Sequence, residues 1–313
     1  MRTAVLALGG NALAPAGEPA TITNQFRHAR ESVAPIVQLA RDGWGLVIVH
    51  GNGPQVGDEL ARNELARRTV EPLPLGVLVA VTAGWIGYML QQSLQNALRA
   101  ARVERDVVTV LTQTIVDQYD PALNRPVKPI GHALPEAYAH QLGEAGLAVG
   151  RDGAGNWRRL AASPAPVGVL EFPVVKRLAE QGTIVIAAGG GGPPVYDHPL
   201  LGWEGLDAVV DKDRVAAILA RQLGADVLMI LTDVDAVYAE WGTPARRPLR
   251  RLGLAEVEAL VAAGGVNEGG MKPKVQAAAS FVAAGGDRAV IARLADGPAA
   301  LRGRAGTTIA RTA

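Results

Sequence analysis

The sequence predicts an α/β protein: a three-layer α/β/α sandwich with a mostly parallel central sheet and a small protruding flap. Three observations carry this. Strand-like apolar runs alternate with amphipathic helical stretches along all 313 residues. The runs are apolar throughout, as strands covered on both faces are. Three of them end in glycine-rich loops, where open α/β sheets hold their ligands.

Taken in order, Thr3 to Leu8 reads as a buried strand ending in Gly9-Gly10-Asn11. A helix is expected from about Asn24 to Arg41, with Ala29, Val33, Ile36, Val37 and Ala40 inward. Gly45 to Val49 is a second strand, and it runs into His50-Gly51-Asn52-Gly53-Pro54-Gln55-Val56-Gly57 before the next helix. That loop is one residue longer than a dinucleotide fingerprint, and it lacks the acidic partner, since Glu71 lies beside Pro72. An anion cradle fits it better. Leu73 to Leu90 carries no charge, but its glycines and the following glutamines favour a core or subunit-interface helix over a membrane span.

Asp106 to Leu111 is a third strand. From about 117 to 166, six prolines and little periodicity suggest an inserted flap. It contains Lys128, which on its own reads as a solvated loop lysine. Thr183 to Ala188 is a strand leading into Gly189 to Gly192. Asp226 to Leu231 is another, followed by Thr232-Asp233-Val234-Asp235-Ala236-Val237-Tyr238. Leu254 to Ala263 is helical. Gly269-Gly270-Met271-Lys272-Pro273-Lys274 leads into a helix expected from Pro273 to about Ala284, with Pro273 at its first position. Arg288 to Ala292 and the segment from Gly306 end the chain as strands.

The chemistry gathers at Asp211-Lys212-Asp213, at the mouth of a helix whose apolar face is Val215, Ile218, Leu219 and Leu223. A lysine bracketed by carboxylates is expected to stay protonated and fixed, which suits a transferring phosphoryl group. Only five lysines occur, at 128, 176, 212, 272 and 274, against 26 arginines. Lysine is therefore kept where a compact charge is needed. The net charge of +1 gives no reason to expect a nucleic-acid or membrane partner, and the absence of cysteine excludes disulfides and thiolate metal sites. The first apolar run is too short for a signal peptide, so a cytoplasmic location is expected.

These loops, in this order, resemble the carbamate kinases of the amino-acid kinase superfamily. The matching pieces include Ala7 to Ala12, His50 to Gly57, Gly84-Trp85-Ile86-Gly87-Tyr88, Lys128-Pro129-Ile130-Gly131, Gly189 to Gly192, Val210 to Asp213, Leu231 to Asp235, and Met271 with Pro273-Lys274. Related acid kinases carry a lysine just ahead of the first glycine pair; Ala7 stands there instead, and the resemblance implies that Lys212 supplies that charge. Departures from the family pattern are Gly270, Lys272, Ala83 and Pro194.

The resemblance implies reversible phosphoryl transfer between carbamoyl phosphate and ADP, giving carbamate and ATP. Lys212 and Lys274 would flank the phosphoryl group, Asp213 would orient both, and Lys128 would close over the substrate. Gly9, Gly10, Asn11, Gly51, Asn52, Gly53, Gly190 and Gly191 would cradle it. Asp211, Asp233, Val234, Tyr238, Met271, Lys272 and Pro273 would serve the nucleotide, whose phosphates would carry Mg²⁺. Residues 1–210 would form the substrate lobe and 211–313 the nucleotide lobe, in a homodimer. A paralogue acting on another small acid, or a non-catalytic nucleotide sensor, is the alternative.

Overall fold

A computed structural model describes residues 1–9, 13, 18–266 and 270–312. The expectations for Gly10 and Asn11 lie outside the described residues. Ten helices are described: α1 (Ile22–Ser32), α2 (Ala34–Arg41), α3 (Gly53–Ala66), α4 (Leu75–Ala100), α5 (Glu136–Glu144), α6 (Phe172–Glu180), α7 (Lys212–Leu223), α8 (Leu254–Ala262), α9 (Met271–Ala283) and α10 (Gly297–Leu301).

The centre is one eight-stranded sheet. From edge to edge its strands are Arg251–Gly253, Thr307–Ala310, Arg288–Arg293, Val227–Thr232, Thr3–Leu8, Gly45–His50, Ile184–Ile186 and Val107–Thr109. All neighbours are parallel except Thr307–Ala310 against Arg288–Arg293. Successive side chains of a strand face opposite layers. Val5 and Ala7 accordingly pack under α6, α7, α8 and α9, whereas Ala4, Leu6 and Leu8 pack under α1, α2, α4 and α10. Ala7 is fully buried in the first of these cores.

Several expectations need correction. The helix foreseen over 24–41 is two, because Pro35 cannot donate the backbone hydrogen bond that would carry one helix through Val33. Helix α9 begins two residues before Pro273, at Met271. The flap is not irregular: Lys128–Leu134, Val149–Arg151 and Trp157–Ala161 form an antiparallel sheet beside α5. A further four-stranded sheet includes the hairpin Pro194–His198 and Gly202–Gly205. The long apolar run lies in α4, with Leu78, Val79, Ile86, Met89, Leu90 and Leu94 buried and Val77, Val81 and Tyr88 facing outward.

The flap strand meets α3 where Gly57 and Gly131 touch. A Cβ on Gly57 would overlap the Gly131 Cα, and Gly131 has φ +72°. Gly57 thus serves this close approach, not an anion loop.

Candidate active site

Two cavities meet at the carboxyl end of the sheet. The smaller, about 210 Å³, is lined by Gly51, Asn52, Gly53, Lys128, Gly190, Asp211, Lys212, Asp213 and Lys274, among others. The larger, about 280 Å³, is lined by Thr232, Asp233, Val234, Ala236, Tyr238, Trp241, Val266, Gly270, Met271 and Lys274. Lys274 is the one described residue lining both.

The charges between the cavities are arranged by the mouth of α7. Asp211 is its N-cap: Oδ1 accepts from the amides of Asp213 at 3.0 Å and Arg214 at 3.2 Å. The other oxygen, Oδ2, accepts from the Lys128 Nζ at 2.9 Å. Asp213, only 3% exposed, takes one ammonium on each oxygen: Lys212 Nζ donates to Oδ1 at 2.6 Å and Lys274 Nζ to Oδ2 at 3.0 Å. One carboxylate therefore fixes the spacing of two ammoniums that would otherwise repel.

Burial alone would raise both carboxyls. Lys128, with Lys212 and the Arg214 amide, outweighs it at Asp211, and Lys212 with Lys274 outweighs it at Asp213, so both acids are held below the usual carboxylate range. The two lysines diverge. Burial pushes Lys212 down despite Asp213, and Lys274 adds to the push. Burial also pulls on Lys274, but Asp213, together with Asp211 and Asp233, more than compensates and leaves it raised. Both carboxylates still favour the charged form of Lys212, Asp213 being the one that hydrogen-bonds it. Asp211 makes its hydrogen bond to Lys128, and enclosure lowers Lys212.

Behind the small cavity, His50 is fully buried at the end of its strand, and burial lowers it to about 4, so it is neutral at physiological pH. Its Nδ1 lies 3.0 Å from the Gly51 carbonyl oxygen. Asn52 Nδ2 donates to Thr82 Oγ1 at 2.9 Å. The glycine loop after Ile186 is packed on these groups. Ala188 has φ +51°, Gly190, Gly191 and Gly192 all have positive φ, and added Cβ atoms would strike Asn52, the Val210 carbonyl and Thr114 respectively.

The expected cradle is only partly brought together. Gly51, Asn52, Gly53 and Gly190 line the small cavity. The amides of Gly9, Gly51 and Gly191 are engaged by the carbonyls of Leu231, Leu8 and Ala188. The first two continue the ladder of the sheet, so they do not reach an anion. Gly53 opens α3, where an amide has no partner within the helix. Gly9 and Gly191 line neither cavity. Of the residues expected at the nucleotide, Asp233, Val234, Tyr238 and Met271 line the larger cavity. Asp211 lines the smaller one instead, and Lys272 and Pro273, in the first turn of α9, line neither.

Sequence reasoning missed Trp241 and His50. Trp241 is 49% exposed on the rim of the larger cavity, edge-to-face with Tyr238 at 5.4 Å. Its position in a polar turn gave no periodic signal. His50 stood in a quoted motif but carried no role.

With this geometry in view, comparison with known proteins is decisive. The model of the amino acid kinase family matches residues 2–293. A carbamate kinase of Pyrococcus horikoshii is 42% identical over 308 residues, covering 97% of this chain and 98% of its own. The chain belongs to the carbamate kinases of the amino acid kinase family. Another family member, from Escherichia coli K12, is 44% identical over 317 residues, covering 99% of each chain. The solved carbamate kinase from Giardia lamblia bound to AMP-PNP superimposes with a TM-score of 0.90 at 36% identity, covering 99% of this chain and 98% of that one. The same protein bound to citric acid gives 0.93 with the same identity and coverage.

Proposed function

We propose that this kinase moves a phosphoryl group between carbamoyl phosphate and ADP, forming carbamate and ATP, and catalyses the reverse. The observation that carries the reading is Lys274, whose ammonium borders both cavities while Asp213 ties it to Lys212. A group crossing from one cavity to the other passes between two fixed positive charges. The small cavity, about 210 Å³, suits a compact anion and not a bulky acid.

In the forward direction an oxygen of the ADP β-phosphate attacks phosphorus, and the bond to the carbamoyl oxygen breaks as carbamate leaves. Both oxygens are anionic without help, so no general base is needed. Catalysis is alignment plus charge stabilisation. Lys212 and Lys274 neutralise the oxygens of the moving group, and the open amides at the start of α3 support the substrate phosphate. Lys128 reaches it from the flap. Tyr238 and Trp241 offer ring surfaces to the adenine, while residues 211–313 serve the nucleotide and 1–210 the substrate.

Among the described residues no three acidic or histidine side chains converge as an ion cage, and both Asp213 oxygens accept from ammoniums. Mg²⁺ would travel on the nucleotide phosphates, where it supplies charge neutralisation. A cytoplasmic homodimer completes the reading, joined through the outward α4 face of Val77, Val81 and Tyr88. Light scattering on purified protein tests the dimer.

The deciding experiment is a coupled assay for ATP formed from ADP, carbamoyl phosphate and Mg²⁺. Nucleotide binding without turnover would instead identify a sensor. Turnover with other acyl phosphates but not this one would identify a paralogue of different specificity.

A further inference from the structure

The carboxylate of Asp211 does two things at once. One oxygen caps α7, and the other takes an ammonium from a residue 83 positions away, on the flap. We infer that Asp211 is the positioning residue for Lys128, holding its ammonium over the small cavity before substrate arrives. The inference rests on the functional reading above and adds a role to a residue expected at the nucleotide.

Capping does not require a charge at position 211, because Asn and Ser cap about as well as Asp. Gripping an ammonium does. An ammonium has three protons, so one bond to Asp211 leaves two for an anion in the cavity. Lysine is flexible, and fixing it in advance removes an ordering cost from substrate binding. The rest of the flap strand is held from the opposite side, where Gly131 touches Gly57 and the His132 Nε2 lies 3.1 Å from an Asp58 oxygen. Asp211 supplies the tether on the cleft side, and the depressed carboxyl of Asp211 agrees with a pair formed in the free protein.

The test uses Asp211→Asn and Asp211→Ser in the full-length enzyme, both of which keep a cap. The charge-assisted bond is worth enough for a rise of about tenfold in KM for carbamoyl phosphate. KM for ADP should stay constant, kcat should change far less, and hydrogen exchange over 128–134 in ligand-free protein should quicken. In a Lys128→Ala background the same substitutions should add nothing. An unchanged KM, a full additional rise without Lys128, or unaltered flap exchange would each overturn the proposal. If the wild type makes no ATP from carbamoyl phosphate, the functional reading fails alone, since the exchange measurement still decides the tether.

Discussion

Helices α7 and α9 both begin at the cleft, but their mouths are built differently. At α7 the Asp211 carboxylate accepts from two backbone amides, so the positive end of the helix is occupied by the protein itself. What α7 offers a ligand is a side chain, Lys212, fixed by Asp213. At α9 the residue before the helix is Gly270, which has no side chain with which to cap. Its first turn borders the larger cavity, and Pro273 within that turn has no amide proton to donate. The comparison teaches that two helix mouths on one cleft are finished differently. One is closed by a carboxylate with a second, lysine-bearing carboxylate beside it, and the other begins at a glycine on the wall of the larger cavity.

The sharpest attack on this contrast is removal of an ammonium. Lys212→Ala and Lys274→Ala are each expected to lower kcat by about a hundredfold to a thousandfold with the fold intact by circular dichroism. A variant that keeps near-normal turnover loses its assigned role, and the α7 mouth would then be only structural.

The next largest effect concerns pH. His50 is held near 4 in the folded protein against 6.5 ordinarily. Between those values the unfolded chain takes up a proton that the folded one refuses, so stability falls as pH drops from about 6.5 to 4. The loss attributable to His50 is about 3 kcal/mol. The paired carboxylates Asp211 and Asp213 are depressed from 3.8, so their contributions are present above that value and fade below it. Urea titrations across pH separate the windows, and a His50→Gln variant should lack the upper one. If that variant keeps the same slope between 6.5 and 4, His50 is not its source.

Trp241→Ala probes the α9 side. Loss of one stacking ring is expected to raise KM for ADP by about tenfold, leaving KM for carbamoyl phosphate as it was. Equal changes in both constants would mean that the two cavities do not divide the substrates. The smallest expected effect is none. One solved carbamate kinase from Giardia lamblia is thiocarbamoylated by disulfiram on a cysteine. This chain contains no cysteine, so disulfiram should leave its activity unchanged in a preincubation assay. Inactivation would point to chemistry at a residue other than a thiol.

The sequence made the sheet legible because its strands are continuous apolar runs, and it made the α7 mouth legible because three charged residues are adjacent. Long-range pairings left no comparable trace. Nothing in Lys128 or its neighbours announces a partner at Asp211, because the flap strand that carries it has no clear alternation of buried and exposed residues. The amides of Gly9 and Gly51 looked available as glycines after strands, whereas the sheet extends one residue further and takes them. Trp241 was hidden because a binding aromatic in a turn has no periodicity. Helix breakage at Pro35 was legible in principle, from proline's missing donor, but the apolar pattern crosses it without a gap.

The crowding around Gly191 has a consequence for how this enzyme can vary. Its Cα sits so close to the Val210 carbonyl that even a methyl group would strike it, and the next residue in the chain is Asp211. Alanine at 191 would thus shove the start of α7 from behind and disarm Lys212 at a distance, with the ammonium itself unaltered. Residue 191, which lines neither cavity, is therefore expected to be as intolerant of change as the charged groups that do.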